Sequence, residues 1–202
     1  MNLQRMIRKQ AEEAKQASLS LALVSADDRS RAVRRMARAL WAGKTSIIRE
    51  NAADIAAGKK AGLSLAMIDR LTLNEERIKG MVDSLLQIAQ LPDPVGKMLS
   101  RQKRPNGLVI EKISTPIGVV GIIYESRPNV TSDCAALCLK SGNSVILKGG
   151  KEAIHSNKAI CKVLKSALKG TKVPGGALQF VESVDREAVS LLLKMDSLID
   201  II

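Results

Sequence analysis

From Gly118 onward, short apolar runs alternate with helical patterns, and this alternation constrains the fold more than any other feature. Val119-Val120-Gly121-Ile122-Ile123-Tyr124 is a continuous apolar run. Ser144-Val145-Ile146-Leu147 is a second, Ala177 to Val181 a third, and Leu198 to Ile202 opens a fourth. The first two have the length and near-continuous hydrophobicity of strands buried on both faces, and the other two read as strands of the same series. Between them, Thr131 to Ser141 reads as a mostly buried helix closed by Gly142 at its C-terminal cap. A second helix keeps Ile160, Val163, Leu164, Ala167 and Leu168 inside and Lys158, Lys162, Lys165 and Lys169 outside, and Asp185 to Lys194 reads as a third. Strand and helix in strict alternation build an α/β fold: a Rossmann-like parallel sheet with helices on both faces. Ligands of such sheets bind beyond the carboxyl ends of the strands. The loops after Tyr124, Leu147 and Val181 are therefore where function is expected.

The region before this core has a different rhythm. Residues 1–107 read as a helical amino-terminal part. Ser25 before Ala26-Asp27-Asp28 has the form of a helix start, and Val33, Met36, Ala37, Leu40, Ile47 and Ile48 recur at helical spacing. Thr72-Leu73-Asn74-Glu75 has the form of a capping box, with Thr72 as the cap. Ile78, Met81, Val82, Leu85, Leu86 and Ala89 follow as one stripe, and Leu91-Pro92-Asp93-Pro94 stops the helix, because proline cannot continue the hydrogen-bond ladder. Residues 95–107 read as a loop. Residues 108–115 read as a strand with at least one exposed face, and 116–202 as the βαβ core.

Composition narrows the partners. Trp41, Tyr124 and Phe180 are the only large aromatics, so the core is built from aliphatic side chains and Met. The net charge of +12 admits nucleic acid, an acidic membrane surface or small anions as partners. Single-stranded nucleic acid is disfavoured, because base stacking wants aromatic platforms that this chain lacks. The Lys and Arg residues are scattered along helical faces, the pattern of solvated surfaces. A basic nucleic-acid-binding module is kept as an alternative function, and neither nucleic acid nor membrane is the expected partner. Cys134, Cys138 and Cys161 form no CxxC pair, and the single His155 supplies no zinc set, so no metal site is expected. There is no secretory h-region and no apolar run long enough to span a bilayer. The expected setting is the cytosol, with reduced thiols.

Two of the strand-end loops carry chemistry. In Glu125-Ser126-Arg127-Pro128-Asn129-Val130-Thr131, Asn129 enters a helix, where it can cap the N-terminus or point its amide N–H at a developing oxyanion. Arg127 can clamp a carboxylate or phosphate, or pair with Glu125 at the surface. In Lys148-Gly149-Gly150-Lys151-Glu152 the glycines let the backbone approach a ligand and the lysines add charge, although the run matches neither a dinucleotide nor a P-loop fingerprint. Ser156 and Asn157 can cap the following helix or hold a phosphate. Cys134 and Cys138, four apart on an apolar helix, read as small core residues.

At these loops the chain resembles the γ-glutamyl phosphate reductases (glutamate-5-semialdehyde dehydrogenases) of the aldehyde dehydrogenase superfamily. The resemblance is carried by Tyr124 to Thr131, by Leu137-Cys138-Leu139-Lys140-Ser141-Gly142-Asn143 and by Val145 to Glu152. Asn51-Ala52-Ala53-Asp54-Ile55, Asp69-Arg70-Leu71 and Leu91-Pro92-Asp93-Pro94-Val95-Gly96 agree with it. It implies NADPH-dependent reduction of γ-glutamyl phosphate to glutamate 5-semialdehyde and phosphate, in proline biosynthesis, through a cysteine thioester. It further implies that Asn129 donates to the oxyanion and that Lys148, Gly149, Gly150 and Lys151 face NADP(H); from their loops alone, Arg127 is the candidate substrate contact and Ser156 a further candidate cofactor contact. Glu152 stands four positions after Lys148, where many aldehyde dehydrogenases have Glu three positions on, which puts a role at the ribose in doubt.

The resemblance also implies a homo-oligomer that uses the strand at 108–115, so a non-catalytic partner of a full-length subunit is a third possibility. The family's catalytic cysteine belongs to a segment downstream of the strand begun at Leu198, and none of the three cysteines matches it. The resemblance thus corresponds to the amino-terminal, cofactor-binding portion, and the chain alone is expected to be inactive.

Overall fold

The computed structural model describes residues 2–202. Five helices come first: α1 (Leu3–Leu21), α2 (Ala26–Ala42), α3 (Lys44–Lys60), α4 (Leu65–Leu71) and α5 (Glu75–Gln90). Strands β1 (Met98–Lys103) and β2 (Val109–Ile113) form an antiparallel hairpin. The core then runs β3 (Val119–Ile123), α6 (Asn129–Lys140), β4 (Ser144–Lys148), α7 (Ile154–Leu168), β5 (Leu178–Phe180) and α8 (Glu187–Leu192). Single 3-10 turns at Lys151–Ala153 and Gly175–Ala177 precede α7 and β5.

The expected sheet is present: β3, β4 and β5 are parallel and adjacent in that order. The expected fourth strand is reduced to one parallel bridge, Val120 to Ile201, on the free edge of β3. Side chains of β4 alternate between two buried clusters. Val145 and Leu147 join the cluster with α2, α5, α6 and α7, whereas Ile146 joins Ile7, Ala11, Ala14, Val119, Val181, Ala188 and Leu192 from α1, α8 and the sheet. Period-2 alternation thus separates the layers, and both faces are covered. The opening helix α1, together with α8, covers the second face, so the amino-terminal helices share a core with the sheet.

Buried polar groups tie the helices to the core. Arg29, on α2, is only 2% exposed. Its guanidinium donates to both carboxylate oxygens of Asp93 at 2.8 and 2.7 Å and to the carbonyls of Val24 and Lys140. The Lys140 amine donates to Ser30 Oγ at 2.6 Å. Asp54, on α3, is buried and accepts from the backbone N–H groups of His155 and Ser156 and from Ser156 Oγ. It thereby caps α7 from a distant segment, because the first N–H groups of a helix have no partner within the helix.

Two local expectations are corrected. The cap of α5 is Asn74, whose side chain accepts from the Arg77 N–H at 2.7 Å; Thr72 lies at the C-terminal end of α4 and its hydroxyl donates to the Ile68 carbonyl. Residues 95–107 contain β1. The strand expected to have at least one exposed face is found at 109–113 and is exposed on both, its hairpin being joined by no third strand. No helix among the described residues is long and apolar enough to cross a membrane, and no group of three or more His, Cys, Asp or Glu gathers there as a metal set.

Candidate functional site

The loops after β3, β4 and β5 all leave the sheet at one end, because the strands are parallel. They line two clefts. The first, about 430 Å³, is bounded by Tyr124, Glu125, Ser126, Lys148, Gly149, Gly150, Lys151 and Glu152, and by Asp185 and Arg186 at the start of α8. The second, about 410 Å³, is bounded by Arg127, Pro128, Asn129 and Asp133 and, across from them, Asp69, Arg70, Arg77 and Ser84. Both volumes lie in the range of small-ligand clefts, about 300–1,000 Å³. The β3–α6 loop divides them: Ser126 faces one and Arg127 the other.

The first cleft is shaped by close backbone approach. A Cβ on Gly149 would fall 2.2 Å from Asn157 Nδ2 and 3.2 Å from the Tyr124 ring, so no larger residue fits without displacement. A Cβ on Gly150 would fall 2.7 Å from Glu152 Oε2 and 3.3 Å from the Glu125 backbone. Behind Gly149 runs a chain of hydrogen bonds: Tyr124 hydroxyl and Thr131 Oγ1 at 2.6 Å, then Thr131 Oγ1 to Asn157 Oδ1 at 2.9 Å. Asn157 Nδ2 is buried with no acceptor among the described residues. Lys148 is only 6% exposed, and its amine donates to the Gly149 carbonyl at 2.8 Å. Burial lowers its pKa, against the opposing pull of the Glu152 carboxylate. Lys151 is exposed at the rim.

In the second cleft Asn129 is the first residue of α6 but does not cap it; the residue before it is Pro128, and no side chain caps the helix. Asn129 Nδ2 instead donates to Asp133 Oδ2 at 3.1 Å, and Ser84 Oγ donates to Asp133 Oδ1 at 3.0 Å. A carboxylate only accepts, so Asp133 fixes which end of the Asn129 amide carries the donors. The second N–H of that amide is left for other partners. Arg77 pairs with Asp69 at 2.7 Å, while Arg70 and Arg127 have no carboxylate partner among the described residues. The surface pairing of Arg127 with Glu125 does not form.

Of the residues singled out in the sequence, Lys148, Gly149, Gly150 and Lys151 share the first cleft, and Arg127 and Asn129 share the second. Ser156 joins neither. It is fully buried, bonded to Asp54 and Asn51, and cannot reach a bound ligand. Its place near a helix start suggested a phosphate contact, but the helix end is already satisfied by Asp54. Sequence reasoning missed Asp133, Arg70 and Arg186. The i, i+4 spacing of Asn129 and Asp133 was a usable signal; the approach of α4 and α8 was not. None of the cysteines lines either cleft. Burial pushes the Cys138 and Cys161 thiols up to about 12 and raises that of Cys134, so none is a thiolate near neutrality.

Comparison with known proteins agrees with this architecture. The chain is 52% identical over 202 residues to a γ-glutamyl phosphate reductase of Geobacter sp. (strain M21), covering 100% of this chain and 48% of that relative. The crystal structure of the γ-glutamyl phosphate reductase of Thermotoga maritima superposes with a TM-score of 0.93 at 34% identity, over 96% of this chain and 47% of that one. The corresponding Saccharomyces cerevisiae structure gives 0.87 at 33% identity, over 96% and 49%. The chain thus spans about half the length of the curated relatives it matches. The model of the aldehyde dehydrogenase family matches residues 3–202, nearly the whole chain, and the protein belongs to that family.

Proposed function

We propose that this chain forms the coenzyme-facing part of an NADPH-dependent γ-glutamyl phosphate reductase, which converts γ-glutamyl phosphate to glutamate 5-semialdehyde and phosphate in proline biosynthesis. The observation that carries the reading is the shared position of the Arg127–Asn129 and Lys148–Lys151 turns at the carboxyl end of one parallel sheet. The similarity to reductases of that name supports it.

The first cleft suits a phosphorylated coenzyme. Gly149 and Gly150 bring bare backbone to its wall, and Lys148, Lys151 and Arg186 supply positive charge. NADPH, once bound, supplies the hydride that reduces the acyl carbon. In the second cleft Asn129, aimed by Asp133, donates an N–H to the oxygen on which negative charge develops. Arg127 and Arg70 face the anionic groups of the acyl phosphate. None of Cys134, Cys138 and Cys161 lines either cleft, and burial raises the pKa of each thiol, so the chain by itself binds coenzyme without turnover. Free thiols fit a cytoplasmic setting. The exposed β1–β2 hairpin is the element through which copies of the protein pair, as a homo-oligomer.

Isothermal titration of the folded chain with NADPH tests the reading. A saturable isotherm is expected, weakened about tenfold or more by Lys148→Met, through loss of a charged partner for a phosphate or ribose oxygen. A folded sample that releases no heat of binding would refute it.

A further inference from the structure

A separate basic cleft lies at the other end of the sheet. Its cavity, about 540 Å³, is lined by Arg31, Arg34, Arg35 and Arg38 of α2 and by Gly170, Thr171 and Lys172 of the turn between α7 and β5. That turn leads into the amino end of β5, so the cleft lies away from the strand ends that bear the two clefts described above.

The four arginines recur at positions i, i+3, i+4 and i+7, which puts them on one helix face. No Asp or Glu occurs anywhere from Arg29 to Arg49. Asp28 is the one carboxylate in the cleft. It is bonded to Arg31 and, at 3.0 Å, to Lys172, and its hydrogen bonds with Ser25 and Lys172 hold its pKa down at about 2. It therefore remains ionised and engaged. Arg34, Arg35 and Arg38 have no carboxylate partner among the described residues, unlike Arg8, Lys9, Lys44 and Lys79 on other helices. Like charges three and four apart on a helix repel. The arrangement leaves several guanidinium forks beside one concave surface, the geometry that receives phosphate oxygens two at a time.

We propose that this cleft binds a small multivalent phosphate anion, one carrying two or more neighbouring phosphoryl groups. Arg34, Arg35 and Arg38 hold its oxygens, and Lys172 closes the far side. A single monovalent anion would leave most of the cationic charge unmatched, and a cavity of about 540 Å³ matches the size of a small ligand. The proposal is independent of the reductase reading, since it involves none of the residues of the other two clefts.

Calorimetric titration of the whole chain with inorganic tripolyphosphate tests it, alongside Arg34→Gln/Arg35→Gln/Arg38→Gln and a control, Lys59→Gln/Lys60→Gln/Arg49→Gln, that removes equal charge elsewhere. The expected result is a saturable site weakened about tenfold or more in the cleft variant and little changed in the control. Equal loss in both variants would reduce the effect to net charge and overturn the proposal, as would affinity unchanged by the cleft variant. A mixed-sequence RNA oligonucleotide forms the second arm. Tighter binding of RNA than of tripolyphosphate at physiological salt, lost with the same arginines, would also overturn it in favour of a nucleic-acid surface.

Discussion

Asn51 and Asp54 illustrate how little a motif reveals about the job of its residues. Both belong to a run by which the chain is recognisable, and both are buried scaffold. Asn51 accepts from the Leu73 N–H at 2.8 Å and donates to the Leu71 carbonyl and to Ser156 Oγ. Asp54 gathers three donors at the start of α7. Replacing it by Ala would strand two backbone N–H groups and a hydroxyl in a dry interior. Asp54→Ala is expected to cost about 2–4 kcal/mol, read from urea denaturation. A loss within about 0.5 kcal/mol would mean that water replaces the carboxylate. Ser156 was legible as a residue near a helix start. Its burial under α3 was not, because Asp54 is about a hundred positions earlier in the sequence.

At the scale of elements, the sheet strands β3 to β5 and the long helices follow from periodicity, whereas β1 reads as loop and a cap is misplaced where several short signals compete. Thr72, Asn74 and Glu75 offered two registers for one cap. The chain uses Asn74, because Thr72 still belongs to the end of α4. The hairpin is the clearest case of an element whose pattern lacked an inside. Met98, Leu99, Leu108, Val109, Ile110 and Ile113 are all about half exposed, so β1 and β2 have apolar side chains and free edges with nothing to cover them. Such edges invite pairing with another chain. Ile110→Lys is expected to shift the protein from self-associated to monomeric in light scattering, with helical circular dichroism unchanged. Wild-type protein that is monomeric at every concentration would remove the hairpin from that role.

Over the whole molecule, the sheet is sandwiched so closely that several ionisable groups are trapped in neutral form between the layers. Cys138 and Cys161 are raised from an ordinary 9.0 to about 12 by burial, and burial raises the Tyr124 hydroxyl too. The unfolded chain begins to release these protons near pH 9, whereas the folded chain retains them until about 12. The folded state therefore binds more protons across that window, and stability falls as pH rises through it. Thermal midpoints measured from pH 8 upward should decline, and Cys138→Ala/Cys161→Ala should flatten the decline. An identical slope in the variant would show that the thiols are not responsible.

From β3 to α8, the order of strands and helices, and with it the parallel sheet and the end at which its loops emerge, was determined by the sequence alone. Unbroken apolar runs require burial on both faces, and alternation with helices leaves one handed way to achieve it. The likeness in the strand-end loops belonged to the sequence as well. Tertiary structure decided which polar residues face open space. Asn129 is turned by Asp133, Ser156 is taken up by Asp54, and the β3–α6 loop divides the strand-end surface into two clefts. It also gathered four arginines of one helix face and a remote turn around one basic hollow. These outcomes depend on contacts between residues far apart in the chain, and local propensity carries no information about which distant partner will satisfy a buried donor or acceptor.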